Sequence, residues 1–298
     1  MTTAISITAL RKTYPRNWAS PRFEALRGIS LEVEQGEVFG FIGPNGAGKS
    51  TAIRILTGVM TASAGSARLF GIDVGVPEAR RGLGYVPENP SLPDYLTPLE
   101  ILSMGLELHR RKPDNPRQHC MNWLQQFGLA DVADKVVRGF SKGMAQRTAL
   151  AHAMAVEPRL LILDEPLSGL DPLGRRDVVE ILSEFRRQGG TIFFTSHVLH
   201  DVERLADRFG LIHKGELRAV RAPGELVGET DTVLVRSQGS GAVLPDMLAE
   251  PAGRWVVEVP RTTLWETLRV LEAAGHTLIE IKPTLSLETA FMHVVKGG

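Results

Sequence analysis

Short apolar runs and helix-spaced apolar residues alternate along much of this chain. The run Val38–Ile42 is followed by a glycine-rich loop and then by apolar residues at Ile53, Leu56 and Val59. A run this short predicts a strand, and the later spacing is that of one face of a helix. The segment therefore predicts a strand, a glycine loop and a helix, in that order.

Two further apolar runs flank another predicted helix. They are Leu160–Leu163 and Thr191–Thr195, and the helix between them begins at Asp171 and Pro172. Continuous apolar runs of this length suit strands that are covered on both faces. Strands joined through a helix lie parallel in one sheet, so the pattern predicts the α/β fold class with a parallel-sheet core.

Residues 97 to 156 have a mainly helical pattern. Thr97 precedes Pro98, and Glu100 follows three residues after Thr97, which is the pattern of a capped helix start. Asn115 stands in a similar position before a second apolar stripe. The pattern predicts a helical subdomain over about residues 90–156.

The pattern changes after Leu217–Val220, where Gly, Ser and Pro become frequent. This change predicts a domain boundary, with one domain over 1–222 and a small α+β appendage over 223–298. The predicted strands of the appendage are Thr232–Val235, Trp255–Val259 and Leu278–Ile281, and its predicted helices lie near Thr263–Ala273 and Leu287–Val295.

Composition limits the classes of partner. The chain has 298 residues, and 34 Lys and Arg balance 34 Asp and Glu, so no net charge favours nucleic acid or an anionic membrane surface. A single cysteine, Cys120, fits a reducing compartment and leaves no internal disulfide. No long apolar run is present, and Met1–Leu10 lacks a signal-peptide pattern. We therefore expect a cytosolic chain that neither spans a membrane nor is exported.

The glycine loop matches a phosphate-binding motif. Gly43–Ser50 fits G-x-x-x-x-G-K-[ST], with a predicted strand before it and a predicted helix after it. Such a loop turns backbone N–H groups toward phosphates, while Lys49 reaches the β and γ phosphates and the Ser50 hydroxyl binds Mg²⁺. The expected ATP-binding residues are Gly43, Pro44, Asn45, Gly46, Ala47, Gly48, Lys49, Ser50 and Thr51.

An acidic pair follows the strand Leu160–Leu163. We expect Asp164 to hold Mg²⁺ through water, and Glu165 to polarise the water that attacks the γ-phosphate. An acidic pair can also simply end a strand, but a phosphate loop in the same chain favours the catalytic interpretation.

Five motifs in this order are typical of one family. They are GPNGAGKST, FSKGMAQR at 140–147 (called the signature below), LLILDEP, SGLD at 168–171 and His197 in TSHVL. On these motifs, residues 1 to about 220 resemble the ATPase subunit of ATP-binding-cassette (ABC) transporters. The resemblance implies a P-loop NTPase-type core with a mainly helical signature subdomain.

The resemblance also implies roles for residues outside the phosphate loop. Ser141 and Gly143 would face the γ-phosphate of ATP held by a second cassette, so a homodimer or a paired cassette is implied. His197 would contact the γ-phosphate and act with Glu165 in catalysis. Tyr14 stands where the family stacks an aromatic ring on adenine, with Trp18 as an alternative.

Three positions depart from the family pattern. Lys142 replaces a glycine of the signature, and Met144 replaces its glutamine; we leave open whether Lys142 contacts the ligand or solvent. Glu88 stands at the glutamine of the Q-loop, where it can act as a ligand to Mg²⁺ or water. These departures resemble those of bacterial exporter cassettes.

The expected function is an ATP-hydrolysing transport subunit at the cytoplasmic face of the inner membrane, peripheral through separate permease subunits and exporting its cargo. An alternative is a cassette ATPase acting on a nucleic-acid or ribosomal complex. It is disfavoured because only 91 residues, without sustained heptads, separate Lys49 from Ser141, and because the chain has one cassette. A scaffold without turnover would lack Glu165 or His197.

Two segments have no assigned role from the motifs. The stretch Tyr14–Phe23 is either an exposed loop or a partner contact, and the appendage, which ends in SLETAFMHVV, is expected to support the dimer or regulate it.

Overall fold

The computed structural model describes residues 2–15, 22–228 and 232–283. The chain forms two compact units, residues 1–221 and 222–298, whose boundary lies one residue from the predicted one. The predicted helix at 287–295, the SLETAFMHVV segment and Trp18 lie outside the described residues.

The first unit alternates strands and helices. Its strands are, in chain order, β1 (Thr3–Tyr14), β2 (Phe23–Glu34), β3 (Val38–Ile42), β4 (Ala64–Leu69), β5 (Ile72–Asp73), β6 (Leu83–Val86), β7 (Leu160–Asp164), β8 (Thr191–Ser196), β9 (Arg208–His213) and β10 (Glu216–Arg221). Its α-helices are α1 (Lys49–Leu56), α2 (Pro98–Leu108), α3 (Pro116–Gln126), α4 (Lys142–Ala155), α5 (Pro172–Arg187) and α6 (Leu199–Leu205).

The strands of the first unit form two sheets. The central sheet has the order β10-β9-β3-β8-β7-β6, in which all neighbours are parallel except the edge pair β10 and β9. The parallel core was predicted from the strand and helix alternation. A second sheet, β2-β1-β4-β5, is antiparallel and was not predicted.

The central strands are apolar because both faces of the sheet are covered. Every residue of β3, β7 and β8 is buried. The rings of Phe39 and Phe193 stack with centroids 5.9 Å apart, and Phe41 packs against the same Phe193 ring at 5.6 Å. These contacts hold β3 and β8 side by side, and the segments that follow both strands lie at the carboxyl edge of the sheet.

The predicted helix starts are present. Thr97 Oγ1 accepts a hydrogen bond from Glu100 N at 3.2 Å, and Glu100 Oε2 accepts from Thr97 N at 2.8 Å, which completes a capping box at α2. Asn115 Oδ1 accepts from Gln118 N at 3.1 Å at the start of α3. The prediction was wrong at Val59, which lies beyond the end of α1 and is 70% exposed.

The second unit contains a four-stranded antiparallel sheet among its described residues. Its elements are α7 (Pro223–Gly228), β11 (Thr232–Gln238), β12 (Leu248–Glu250), β13 (Arg254–Pro260), α8 (Leu264–Ala273) and β14 (Thr277–Pro283), with the sheet order β12-β13-β11-β14. Val235, Val257 and Leu271 are buried in its core. The three predicted strands and the predicted helix near 263–273 are present.

Across the residues that the structure describes, the helices are too short or too polar to cross a bilayer.

Candidate functional site

The phosphate loop joins β3 to α1 at the carboxyl edge of the central sheet. A Cβ atom at Gly43 would lie 2.3 Å from the carbonyl oxygen of Ile212. At Gly48, where φ is +114°, a Cβ atom would lie 2.5 Å from the carbonyl oxygen of Ala25. Both glycines are therefore required by close backbone approach, and the second also by its left-handed conformation.

A cavity of about 430 Å³ opens above this loop. It brings together motifs that are far apart in sequence, because β3, β6, β7 and β8 all end at the same edge of the sheet. The residues that line it are Phe23, Ala25, Asn45, Gly46, Ala47, Gly48, Lys49, Ser50, Thr51, Glu88, Asp164, Glu165 and His197. Most of the expected nucleotide and metal residues therefore meet in one cavity.

Lys49 is held by the loop that it belongs to. Its Nζ donates to the carbonyl oxygens of Gly43 at 2.6 Å and Pro44 at 3.4 Å, and the residue is 6% exposed. Burial lowers the pKa of Lys49, while the nearby carboxylates of Glu165, Asp164 and Glu88 act in the opposite direction. The loop carbonyls and the carboxylates keep the ammonium group aimed into the cavity.

Glu165 lies between two basic groups. His197 Nδ1 is 2.8 Å from Glu165 Oε2, and Lys49 Nζ is 3.8 Å from Glu165 Oε1. The backbone of Glu165 has φ of +51°, which is uncommon for a residue other than glycine. The two side-chain contacts and this backbone conformation define where the carboxylate points.

Thr195 links the two acidic residues. Its Oγ1 accepts a hydrogen bond from Glu165 N at 3.0 Å and donates to Asp164 Oδ1 at 2.5 Å. Sequence reasoning missed this residue. The signal that was available is strand register: Asp164 and Thr195 are paired positions of the parallel strands β7 and β8.

Three residues were expected to bind Mg²⁺, and all three line the cavity. Asp164 is buried, Ser50 is half-buried and Glu88 is exposed. Their hydroxyl and carboxylate oxygens are the ligand type that Mg²⁺ takes, usually together with phosphate oxygens. Within the described residues, no three His, Cys, Asp or Glu side chains are clustered as a metal site. The residues therefore fit a Mg²⁺ ion that completes its coordination with nucleotide and water.

The aromatic residue of the cavity differs from the expected one. Phe23 lines the cavity and is 49% exposed, whereas Tyr14, the expected adenine contact, does not line it. The Tyr14 hydroxyl donates to Met60 Sδ at 3.1 Å and lies 3.5 Å from Thr51 Oγ1. The Tyr14 ring stacks on Phe23 with centroids 6.5 Å apart, because the two residues are paired across β1 and β2.

Ser141 caps α4, as predicted. Its Oγ accepts a hydrogen bond from Met144 N at 3.2 Å. Neither Ser141 nor Gly143 is among the residues that line the cavity of the same chain. Their action on the nucleotide of a second cassette stays a prediction.

Comparisons with known proteins agree with this geometry. A family model described as ABC transporter matches residues 26–168. An uncharacterised ABC transporter ATP-binding protein of Nostoc sp. is 41% identical over 254 residues, covering 83% of this chain and 76% of that protein. A daunorubicin resistance ATP-binding protein, DrrA3, of Streptomyces coeruleorubidus is 32% identical and covers 98% of this chain and 96% of that protein.

Solved structures share the fold. An ATP-binding subunit of an ABC transporter superposes with a TM-score of 0.69 at 29% identity, covering 76% of this chain and 92% of that one. A dimeric ATP-binding cassette bound to ADP and Pi superposes with a TM-score of 0.68 at 23% identity, covering 73% and 98%. These likenesses confirm the predicted fold class.

Proposed function

From the premise that the chain belongs to the ATP-binding proteins of ABC transporters, we propose that it binds and hydrolyses ATP to drive transport through separate membrane subunits. The observation that carries the proposal is the placement of the Glu165 carboxylate between Lys49 and His197, at the mouth of an intact phosphate loop. A loop that only bound nucleotide would not require this second, preoriented group.

The phosphate loop supplies the binding part of the reaction. Its backbone N–H groups and the ammonium of Lys49 stabilise negative charge on the β and γ phosphates. Ser50 and Asp164 would hold Mg²⁺, with Glu88 as a further oxygen ligand, and the ion would neutralise charge on the phosphate oxygens. The hydrogen bond from Thr195 keeps Asp164 aimed toward that position.

Glu165 supplies the proton-transfer part. A carboxylate near the attacking water accepts its proton as the γ-phosphoryl group leaves. His197 Nδ1 lies 2.8 Å from Glu165 Oε2 and so orients the carboxylate, and the His197 side chain lines the cavity and is 54% exposed. Glu165 thus acts as the base, and His197 contributes by orienting it.

We further propose that the working form is a dimer of cassettes. Ser141 is exposed at the N-terminus of the 14-residue helix α4, where backbone N–H groups and the helix dipole favour a phosphate. Because neither Ser141 nor Gly143 reaches the cavity of its own chain, a second cassette is needed to bring signature and phosphate loop together. A dimeric cassette bound to ADP and Pi shares this fold, which supports a dimer as the working form.

We propose that the transport is export, with the chain bound to permease subunits at the cytoplasmic face of the inner membrane. The support comes from relatives that are named for daunorubicin resistance, linearmycin resistance and lantibiotic transport. The Ser-Lys-Gly-Met signature and Glu88 point in the same direction.

The test measures phosphate release from ATP by the purified chain, alone and with its membrane subunits in proteoliposomes. We expect Mg²⁺-dependent release by the wild type, and loss of both ATP binding and release in Lys49→Ala. Lys135→Ala is the matched control, because Lys135 is an exposed lysine of the same unit outside the cavity. A wild-type chain that releases no phosphate in either setting would overturn the proposal.

A further inference from the structure

Lys142, which replaces a glycine in the signature, is exposed and does not line the cavity, but its amine contacts another segment of the chain. Lys142 Nζ donates a hydrogen bond to Ser168 Oγ at 3.1 Å. Ser168 belongs to the segment Pro166–Asp171, which follows the acidic pair and is called the 166–171 loop below. The side chain of Lys142 thus joins the start of α4 to the loop that leaves the catalytic strand.

The stem of Lys142 lies against this loop along its length. A Cβ atom on Gly169, where φ is +75°, would lie 2.7 Å from Lys142 Cδ and 2.8 Å from Lys142 Cγ. A side chain at position 169 would displace the lysine stem, and the positive φ independently favours glycine there. Lys142 and Gly169 therefore fit each other as a pair.

Two further contacts join α4 to the same loop. Gln146, which is fully buried, donates from Nε2 to the carbonyl oxygen of Pro166 at 3.2 Å. Arg147 NH2 lies 3.6 Å from Asp171 Oδ1, at the residue that caps α5. The contacts are spread over both ends of the loop, so the loop and the first turns of α4 are positioned together.

The 166–171 loop in turn contacts the backbone of the proposed catalytic base. Ser168 N donates to the carbonyl oxygen of Glu165 at 3.0 Å. Ser168 therefore accepts a hydrogen bond from Lys142 at its hydroxyl and donates one to Glu165 from its backbone amide. A continuous path of hydrogen bonds runs from the residue beside Ser141 to the residue that faces Lys49 and His197.

We propose that Lys142 is a positioning residue that couples the two nucleotide sites of the cassette dimer. The inference rests on the proposed function, in which Ser141 faces the ATP of the partner cassette and Glu165 faces the ATP of its own chain. When ATP of the partner binds at the signature, it fixes the position of α4. The hydrogen bond from Lys142 then fixes the position of Ser168, and Ser168 N in turn holds the Glu165 backbone. A glycine at position 142, the usual residue of the family signature, has no side chain with which to make this contact.

Physical coupling of this kind affects turnover more than binding. ATP bound to a single chain contacts the phosphate loop, which Lys142 does not touch. Removal of the Lys142 side chain therefore leaves the Kd with which a single, undimerised chain binds ATP unchanged. The rate of hydrolysis and its cooperativity in ATP depend on both sites, and both fall when the contact is lost.

The experiment compares Lys142→Gly, Lys142→Arg and Ser168→Ala with the wild type in the complete transporter. We expect Lys142→Gly and Ser168→Ala each to lower kcat about two- to fivefold, the size expected for one exposed polar contact, and to lower the Hill coefficient for ATP toward one. Lys142→Arg keeps a hydrogen-bond donor at the end of a long side chain, so we expect it to retain most of the wild-type kcat and Hill coefficient. The Kd of a fluorescent ATP analogue for the single chain stays at the wild-type value in all three.

A double mutant and a control separate this role from a loss of folding. Lys142→Gly combined with Ser168→Ala is no worse than either single change, because both remove the same contact. Lys135→Gly removes an exposed lysine of the same unit and leaves kcat and the Hill coefficient unchanged. The thermal midpoint of Ser168→Ala checks that the fold is intact, so the proposal stays testable if Lys142→Gly is unstable.

The outcomes distinguish this proposal from the proposed function. Wild-type kcat and Hill coefficient in both Lys142→Gly and Ser168→Ala would overturn the coupling role and leave ATP hydrolysis by the chain intact. Additive losses in the double mutant would also overturn it, because independent effects show that the two residues do not act through one contact. A wild type without hydrolysis would instead overturn the proposed function.

Discussion

His197 Nδ1 lies 2.8 Å from Glu165 Oε2, although 31 residues separate the two in the chain. The contact exists because β7 and β8 are neighbours in the parallel sheet and both end at the same edge. Each residue follows its strand, Glu165 after β7 and His197 after β8. The pair is therefore a consequence of strand order, and it directs the Glu165 carboxylate into the cavity.

Glu165→Gln tests the proposed base. The amide keeps the size of the side chain but cannot accept a proton from water, so we expect hydrolysis to fall by about 10²–10⁴-fold with ATP binding retained. ATP-bound dimers should accumulate, and size-exclusion chromatography with ATP will detect them. Hydrolysis within about tenfold of wild type would remove Glu165 from this role.

Thr195→Val tests the residue that connects the acidic pair. The substitution keeps the shape but leaves Glu165 N without its acceptor in a buried position, which costs about 1–3 kcal/mol of unfolding free energy. We also expect kcat to fall, because Asp164 and Glu165 lose a shared partner.

Thr191→Val is the matched control for Thr195→Val. Thr191 is equally buried at the other end of β8, and its Oγ1 accepts from Gly36 N at 2.9 Å. Denaturant unfolding should show a similar loss for both variants, whereas only Thr195→Val should lower phosphate release per folded molecule. An equal effect of both on phosphate release would show that Thr195 acts only through stability.

Phe23→Ala tests which aromatic residue contacts adenine. The exposed Phe23 ring lines the cavity, and stacking of an aromatic side chain on a base contributes about 1–3 kcal/mol. We expect the Kd for ATP to rise about fivefold or more, and the Kd for inorganic triphosphate, which has no base, to stay unchanged. A larger effect of Tyr14→Ala than of Phe23→Ala on ATP binding would return the role to Tyr14.

Ser141→Arg tests the site shared between two cassettes. A bulky cation at the helix start blocks the approach of the partner, so hydrolysis is lost while a single chain still binds ATP at its own phosphate loop. Mixing Ser141→Arg with Lys49→Ala creates one complete site in each mixed dimer, and we expect part of the activity to return. Wild-type hydrolysis by Ser141→Arg alone would contradict the shared site.

The local motifs were sufficient for the core of the site. The phosphate loop requires glycine at 43 and 48 because backbone atoms approach closely, and both positions belong to one short sequence motif. Asp164 and Glu165 were found because they directly follow a short apolar strand. The capping residues Thr97, Asn115 and Ser141 were also found, since a helix cap involves residues only three positions apart.

Tertiary structure decided the contacts that depend on strand register and on side-chain reach. Thr195 became a partner of Asp164 only through the pairing of β7 with β8, and Phe23 reached the cavity only through its position opposite Tyr14 on β1 and β2. The sequence left open whether Lys142 contacts the ligand or solvent, and the structure shows that its amine donates a hydrogen bond to Ser168.

The sequence by itself determined the parallel core, the capped helix starts and the motifs of the phosphate site, because these depend on neighbouring residues and on apolar periodicity. The structure alone determined which ring faces the cavity, which hydroxyl links the Asp164 carboxylate to the backbone of Glu165, and which loop the signature lysine contacts. Such choices follow from distances of a few ångströms between segments far apart in the chain, and no local pattern contains those distances.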